Sequence, residues 1–114
     1  MLKHDLIRLL HMRDAVEEAM SFVREKDRKN LDQDRKLVLA LMKDIEIVGE
    51  AASRISKETQ HDIPEIPWAN IVGMRNRLIH AYFDINLDIL WQTVNRDLPE
   101  LSKKLAKAIA DHEK

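Results

Sequence analysis

The apolar positions of this chain recur every three to four residues over long stretches, which is typical of amphipathic helices. Near the amino terminus such positions predict a helix over residues 3–25; they are Leu2, Leu6, Leu9, Val16, Met20 and Val23. A longer helix is predicted to begin at Asn30, which has capping-box spacing to Gln33, and to end near residue 56. Because its apolar face is broad, we expect this second helix to be the most buried.

The pattern is interrupted over residues 59–66, where charged residues and Pro64 predict a loop. A helix over residues 67–82 follows, with Pro67 suited to its first turn. Apolar side chains from Trp68 onward form one face of this helix.

Two further helices are predicted in the carboxyl-terminal part. After a turn, Asn86 is the expected N-cap of a short helix. Asp97, followed by Pro99 and Glu100, has the sequence of a new helix start. No run alternates between apolar and polar residues, so we expect an all-α, up-and-down bundle of four to five helices that forms a single domain over residues 1–114.

Composition narrows the classes of function. The 114 residues contain no cysteine, which excludes disulfides and thiolate metal sites. The apolar runs are too short to span a membrane, and the amino terminus lacks a signal-peptide pattern, so we expect a cytoplasmic protein without membrane association. Nineteen basic and twenty acidic residues give a net charge of −1, so any contact with nucleic acid has to be local.

Two polar side chains lie where the helix over residues 67–82 should be apolar. With helical periodicity, Arg75 and Tyr82 fall near the middle of the apolar face. A buried guanidinium needs a carboxylate, a phosphate or a hydrated cavity, because an isolated buried charge is too costly. Glu50 could reach Arg75 from the second helix, but a pair between Glu50 and Arg54 on the same helix face is favoured.

Asn76 and His80 are four residues apart and are predicted to be neighbours on the flank of this helix. Ala69 and Gly73 continue the same line. Glycine within a helix costs about 1 kcal/mol relative to alanine, so we expect another backbone to lie close to Gly73. A second copy of the chain in a two-fold dimer is the simplest candidate. Gly49, in the middle of the second helix, predicts close packing for the same reason.

The polar set on this helix suits the cleavage of RNA. Histidine can accept a proton from a 2′-hydroxyl or donate one to the leaving oxygen, and arginine can stabilise the charge at the phosphorus centre. Arg75 and His80 would supply these groups, with Asn76 beside them. A metal site is disfavoured, because His80 has no second His or Cys at ligand spacing. A buried arginine and a hydrogen-bonded histidine with purely structural roles stay open from the residues alone.

Four segments in order resemble the HepT-like family of HEPN domains. They are Ile-Val-Gly-Glu-Ala-Ala at 47–52, Ile-Pro-Trp at 66–68, Gly-Met-Arg-Asn-Arg-Leu-Ile-His-Ala-Tyr-Phe at 73–83, and Asp-Leu-Pro-Glu-Leu at 97–101 after Trp91. The resemblance implies a helical homodimer that acts as an endoribonuclease toxin without a metal or other cofactor. It also implies a partner antitoxin, a minimal nucleotidyltransferase.

The signature of that family is Arg, a polar residue, three positions, His, one position and Tyr. Arg75, Asn76, His80 and Tyr82 match it without a gap. The resemblance implies that Arg75 and His80 are catalytic, that Asn76 supports them, and that Tyr82 is the residue to which the antitoxin attaches AMP. The alternatives are a non-catalytic nucleotide- or RNA-binding helical dimer that serves a nucleotidyltransferase, and a purely structural dimer.

Overall fold

The computed structural model describes residues 1–79 and 84–112. These residues are mostly helical and contain no strand, which confirms the all-α class; Ile79 and Ile85 form one isolated antiparallel bridge. The α-helices are α1 (Lys3–Phe22), α2 (Lys29–Gln33), α3 (Arg35–Ser53), α4 (Lys57–Asp62), α5 (Trp68–Val72), α6 (Met74–Leu78), α7 (Leu87–Gln92) and α8 (Leu98–His112). A π-helical turn, Thr93–Asp97, joins α7 to α8. The described residues thus form more and shorter segments than the four to five predicted helices.

The core lies between α1, α3 and α8, and α1 packs against both of the others. Fully buried side chains at its centre include Leu9, Met12, Leu41, Ile45 and Leu105. Burying an aliphatic side chain of this size contributes about 1.5–3 kcal/mol. Among the described helices, α3 contributes the most buried residues, as predicted for the second helix.

The prediction of one continuous helix from Asn30 to residue 56 is wrong, because Asp34 interrupts it. Asp34 has an extended backbone and its carboxylate accepts a hydrogen bond from the Leu37 N–H at 3.1 Å, so α3 begins after it. A short carboxylate at this position satisfies a helix amide that has no partner within the helix. Asn30 does not cap the long helix; its side-chain oxygen accepts from the Asp27 N–H at 2.8 Å.

The loop predicted over residues 59–66 is wrong in its first half, which belongs to α4. Ser56 is the N-cap of this helix, and its hydroxyl accepts from the Thr59 N–H. Asp5, on α1 and fully buried, accepts hydrogen bonds from the Ser56 N–H at 3.0 Å, the Ser56 hydroxyl at 2.6 Å and the Thr59 hydroxyl at 2.7 Å. These hydrogen bonds therefore hold the start of α4 against α1.

The buried carboxyls of Asp5 and Asp44 are shifted in opposite directions. Burial is the largest effect on the pKa of Asp5 and raises it, but the hydrogen bonds from Ser56 and Thr59 outweigh it, and the pKa is lowered overall. Burial, together with the nearby Glu18 carboxyl, raises the pKa of Asp44 to about 7. Among the described residues, Asp44 Oδ2 has no hydrogen-bond partner. The two carboxyls are similarly buried, so the hydrogen bonds donated to Asp5 account for the opposite directions of their pKa shifts.

Asn86 caps α7 as predicted, since its side chain accepts from the Ile89 N–H at 3.0 Å. The predicted helix start at Asp97 is wrong. Backbone on both sides of the π-helical turn is helical, so the chain continues from α7 into α8 without a break. The wider turn ahead of Pro99, which has no N–H to donate, lets the helix pass this residue.

The helix predicted over residues 67–82 is also divided. It breaks at Gly73, between α5 and α6, and α6 ends at Leu78. Ile79 is extended, with φ −109° and ψ 116°, and pairs with Ile85. The Asn86 N–H donates to the Leu78 carbonyl at 2.7 Å. The backbone of Leu78 and Ile79 thus pairs with Ile85 and Asn86 instead of continuing the hydrogen bonds of α6.

Candidate functional site

A surface groove of about 750 Å³ runs along the outer side of α3. Its floor is α3, one wall is α1, and the other wall is formed by α5 and α6. The polar side chains that line it are His4, Arg8, His11, Lys43, Glu46, Glu50, Ser53, Arg54, Arg75 and Asn76. The sequence prediction and the structure thus meet at Arg75 and Asn76.

Arg75 is not at the middle of a buried face, contrary to the prediction. Its side chain is 47% exposed, whereas Met74 and Leu78 of the same helix are buried. The prediction assumed one helical phase through residues 67–82, but the break at Gly73 gives α6 a phase of its own. Arg75 therefore lies in the groove rather than in the core.

Glu46 on α3 is the partner of Arg75. The Nε atom of Arg75 donates to Glu46 Oε1 at 2.6 Å. Glu50, the alternative partner in the sequence prediction, pairs with Arg54 at 2.8 Å, as favoured. Sequence reasoning missed Glu46, although it lies one helical turn before Glu50 and so on the same face of α3.

The ion pair uses one edge of the Arg75 guanidinium. Among the described residues, no hydrogen-bond acceptor is bound to Nη1 or Nη2. Both terminal nitrogens can therefore bind two oxygens of one phosphate, the geometry in which arginine recognises this group most strongly. Asn76, exposed on the same helix, adds an amide to this part of the groove.

The two glycines differ in what lies near them. A Cβ added at Gly49 would lie 3.4 Å from the Ile71 carbonyl oxygen and 3.7 Å from that of Val72, so α3 and α5 are in backbone contact, as predicted. This contact fixes the separation between the floor of the groove and one wall. At Gly73 the only described atom within that reach is the carbonyl oxygen of Ala69, one turn earlier. The approach of a second copy to Gly73 stays a prediction.

His80 and Tyr82, the predicted catalytic histidine and modification site, lie outside the described residues. Because α6 ends at Leu78, the helical adjacency of Asn76 and His80 that we predicted no longer follows. Ile79 and Ile85, which flank the segment containing both residues, are paired across it.

Two features of the described residues bear on the class of site. No three His, Asp or Glu side chains in this part of the chain are arranged to hold a metal ion. None of the helices described is both long and apolar enough to cross a membrane.

Comparison with protein families decides the membership of the chain. The model of the family described as "Ribonuclease HepT-like" matches residues 12–108. The chain belongs to this family. The match confirms the resemblance that residues 47–101 indicated, and extends it into α1.

Curated relatives of this HepT-like chain carry ribonuclease names. A protein of Thermococcus cleftensis named "Probable ribonuclease HepT" is 38% identical over 82% of this chain and 86% of its own length. A candidate RNase of Caldanaerobacter subterraneus is 40% identical over 72% of each chain, and one of Methanocaldococcus jannaschii is 30% identical over 86% of this chain and 84% of its own. No solved structure matches the chain closely enough to be counted as similar.

Proposed function

We propose that this protein is the endoribonuclease toxin of a HepT/MNT type toxin-antitoxin system, cleaving RNA without a metal ion. The observation that carries the proposal is the Arg75 guanidinium, which Glu46 holds at the groove through Nε while no other residue that the structure describes binds its two terminal nitrogens. Membership of the ribonuclease HepT-like family supports RNA as the substrate.

In the proposed reaction, the 2′-oxygen of one nucleotide attacks the adjacent phosphorus and the 5′-oxygen of the next nucleotide leaves. His80 takes the 2′-hydroxyl proton, and an imidazolium returns one to the leaving oxygen. Arg75 stabilises the added negative charge on the phosphate oxygens, and Asn76 supports the arrangement. A homodimer would bring two His80 side chains to one cleft, which supplies a base and an acid together.

Regulation would act on Tyr82. A cognate nucleotidyltransferase antitoxin transfers AMP from ATP to the hydroxyl of this residue, two positions after His80. The tyrosine oxygen loses its proton and bonds to the α-phosphorus, and pyrophosphate leaves. The adenylate adds negative charge and bulk beside the guanidinium of Arg75, and RNA is excluded. Tyr82 is the single tyrosine of the chain, so the modification can be assigned without ambiguity among tyrosines.

The alternative is a non-catalytic nucleotide- or RNA-binding dimer that serves as the partner of a nucleotidyltransferase. Exposed aliphatic side chains in the groove favour a binding surface: Ile7 is 44% exposed, Ile47 37% and Val72 44%. This alternative predicts that the groove holds its ligand without changing it.

Substitution of His80 separates the two functions. Total RNA is incubated with purified wild type and with His80→Ala, and products are resolved on a denaturing gel. The nuclease predicts that His80→Ala loses cleavage and retains the oligomeric state seen by light scattering. His61→Ala is the matched control, because His61 is an exposed histidine of α4 that does not line the groove. Equal cleavage by wild type and His80→Ala would assign the activity to a contaminant.

The modification is tested by intact mass after co-expression with the neighbouring nucleotidyltransferase. We expect the mass of one or more adenylates on the wild type, none on Tyr82→Phe, and RNA cleavage by the unmodified chain alone. Adenylate on Tyr82→Phe would move the modification to another residue. Cleavage by the fully adenylated chain would contradict its role in silencing.

A further inference from the structure

The groove contains cations that the proposed chemistry does not use. Arg8 on α1 and Lys43 on α3 line it, and neither forms an ion pair with any residue that the structure describes. His4 and His11 lie on the same wall as Arg8, at the spacing of successive helical turns. Two positive charges therefore line the groove, that of Arg8 on the α1 wall and that of Lys43 on the floor.

Both acidic side chains in the groove are already neutralised. Glu46 pairs with Arg75, and Glu50 pairs with Arg54. The remaining charges are the positive ones of Arg8 and Lys43. The groove is thus locally basic in a chain whose net charge is −1, which is the local feature a nucleic-acid contact requires here.

The length of the groove distinguishes a polymer from a single nucleotide. Positions 4 to 11 of α1 span about 10 Å, and positions 43 to 54 of α3 span about 16 Å, at 1.5 Å of rise per residue. Lining residues extend over both spans. A mononucleotide at Arg75 would leave Arg8 and Lys43 without a counter-charge, whereas a strand carries a phosphate at every nucleotide.

We infer that the groove binds the RNA strand that flanks the cleaved bond, with Arg8 and Lys43 contacting its backbone phosphates. The inference rests on the proposed function for the identity of the ligand. Ile7 and Ile47, which are exposed and line the same groove, offer apolar contact to the bases. Arg8 and Lys43 hold backbone phosphates in this inference and take no part in the proton transfers, so they act on affinity rather than on the chemical step.

The test compares two double variants with the same loss of charge. Arg8→Gln with Lys43→Gln removes the groove cations, and Lys103→Gln with Lys107→Gln removes two exposed lysines of α8 that do not line the groove. The probe is a short, fluorescein-labelled single-stranded RNA of mixed sequence whose riboses are 2′-O-methylated, so that it cannot be cleaved. Anisotropy gives its affinity over a series of salt concentrations, and light scattering gives the oligomeric state.

We expect the groove variant to lose about 1.4 from the slope of log affinity against log salt, since each single-strand phosphate contact contributes about 0.7. At about 0.1 M salt this corresponds to roughly 25-fold weaker binding. The α8 variant is expected to bind as the wild type does. On cleavable RNA, kcat/KM falls in the groove variant and kcat at saturation is kept.

The outcomes separate this inference from the nuclease proposal. Cleavage by the wild type, with unchanged affinity and slope in the groove variant, overturns the inference alone. Binding without cleavage by the wild type, lost in the groove variant, supports the inference and overturns the nuclease. Absence of both activities overturns both. A change of oligomeric state in the groove variant, with RNA affinity unchanged per protomer, would make the groove a protein interface instead.

Because Arg8 is half-buried, Lys43→Gln alone, at an exposed position, tests the same slope if the double variant fails to fold.

Discussion

The polar cluster around Asp5 and the groove around Arg75 are held in different ways. Asp5 is fully buried, and three hydrogen bonds from Ser56 and Thr59 occupy its carboxylate. Arg75 is nearly half exposed and has one partner, Glu46, at one edge of its guanidinium. A buried polar group whose hydrogen bonds are made within the chain stabilises the fold. A polar group at the surface that can form further hydrogen bonds is available to a ligand. Substitutions in the two regions should therefore change different properties.

The largest effect is expected for Asp5→Ala. Removing the carboxylate leaves the donors of Ser56 and Thr59 unpaired at a buried site, which should lower the free energy of unfolding by about 3–4 kcal/mol. Urea denaturation at neutral pH measures this. Asp14→Ala is the control on the same helix, since Asp14 is exposed and should change stability by less than about 0.5 kcal/mol. If Asp5→Ala and Asp14→Ala lowered the free energy of unfolding equally, the hydrogen bonds of Asp5 would not have the stabilising role assigned to them.

The contribution of Asp5 also has a defined pH dependence. Its pKa is lower in the folded chain than in the unfolded chain, so its stabilisation is present above the ordinary pKa of 3.8 and is lost as pH falls through the lower, folded value. Asp5→Asn should flatten this acidic limb of the stability profile.

Arg75→Ala is expected to reduce cleavage by about 100-fold, or roughly 2.7 kcal/mol of transition-state stabilisation. The free energy of unfolding should fall by no more than about 1 kcal/mol, because the ion pair that the substitution breaks is half exposed. Single-turnover kinetics and urea denaturation of the same preparation give both numbers. Arg77→Ala, an exposed arginine of the same helix outside the groove, should leave cleavage unchanged. A large loss of stability in Arg75→Ala would show that Arg75 has a structural role instead.

Asp44 is as buried as Asp5, but among the described residues its Oδ2 accepts no hydrogen bond. Its pKa of about 7 in the folded chain exceeds the ordinary 3.8, so it stabilises the fold when protonated, and that stabilisation is lost as pH rises through about 7. Asp44→Asn, which stays neutral, should be more stable than the wild type by about 2 kcal/mol at alkaline pH and nearly equal to it at about pH 4. Thermal or urea unfolding across this range measures the difference. A constant difference would show that Asp44 does not titrate there.

The smallest effect concerns two ion pairs on successive turns of α3. Glu46→Ala should lower kcat about fivefold, in line with about 1 kcal/mol for a half-exposed pair, because the Arg75 guanidinium is no longer oriented. Glu50→Ala, which frees Arg54 in the same groove, is the matched control and should leave kcat unchanged. If Glu46→Ala instead raises activity, the carboxylate competes with the phosphate for Arg75 rather than positioning it.

The periodic part of the fold could be predicted from the sequence. The first helix, the buried apolar face of α3 and the cap at Asn86 depend on residues close together in the chain, and these predictions are confirmed. The apolar face predicted for α1 is correct at Leu9 and Val16 but wrong at Leu2, which is exposed. The breaks are harder. Asp34 competes with the helix through its own side chain, and Ile79 leaves the helix because it pairs with Ile85. The spacing of apolar residues does not show where a side chain or a distant backbone segment replaces the helical hydrogen bonds.

The site was predicted in part for the same reason. Arg75 and Asn76 were singled out from the sequence as residues of a polar site, and both line the groove, but the exposure of Arg75 depends on the phase change at Gly73. Its partner Glu46 is distant in sequence, and no local pattern links the two. The catalytic role of His80 and the modification of Tyr82 came from resemblance, and both stay proposals.

The π-helical turn at Thr93–Asp97 has a consequence for sequence comparison and engineering. A π turn contains about one residue more than an α turn, and the backbone on either side of this turn is α-helical. Removal of one residue between positions 93 and 97 should therefore restore a regular turn and leave the apolar face of α8 in register. The same deletion within α8 would rotate every later side chain by about 100°. Homologues one residue shorter should have their gap at this turn.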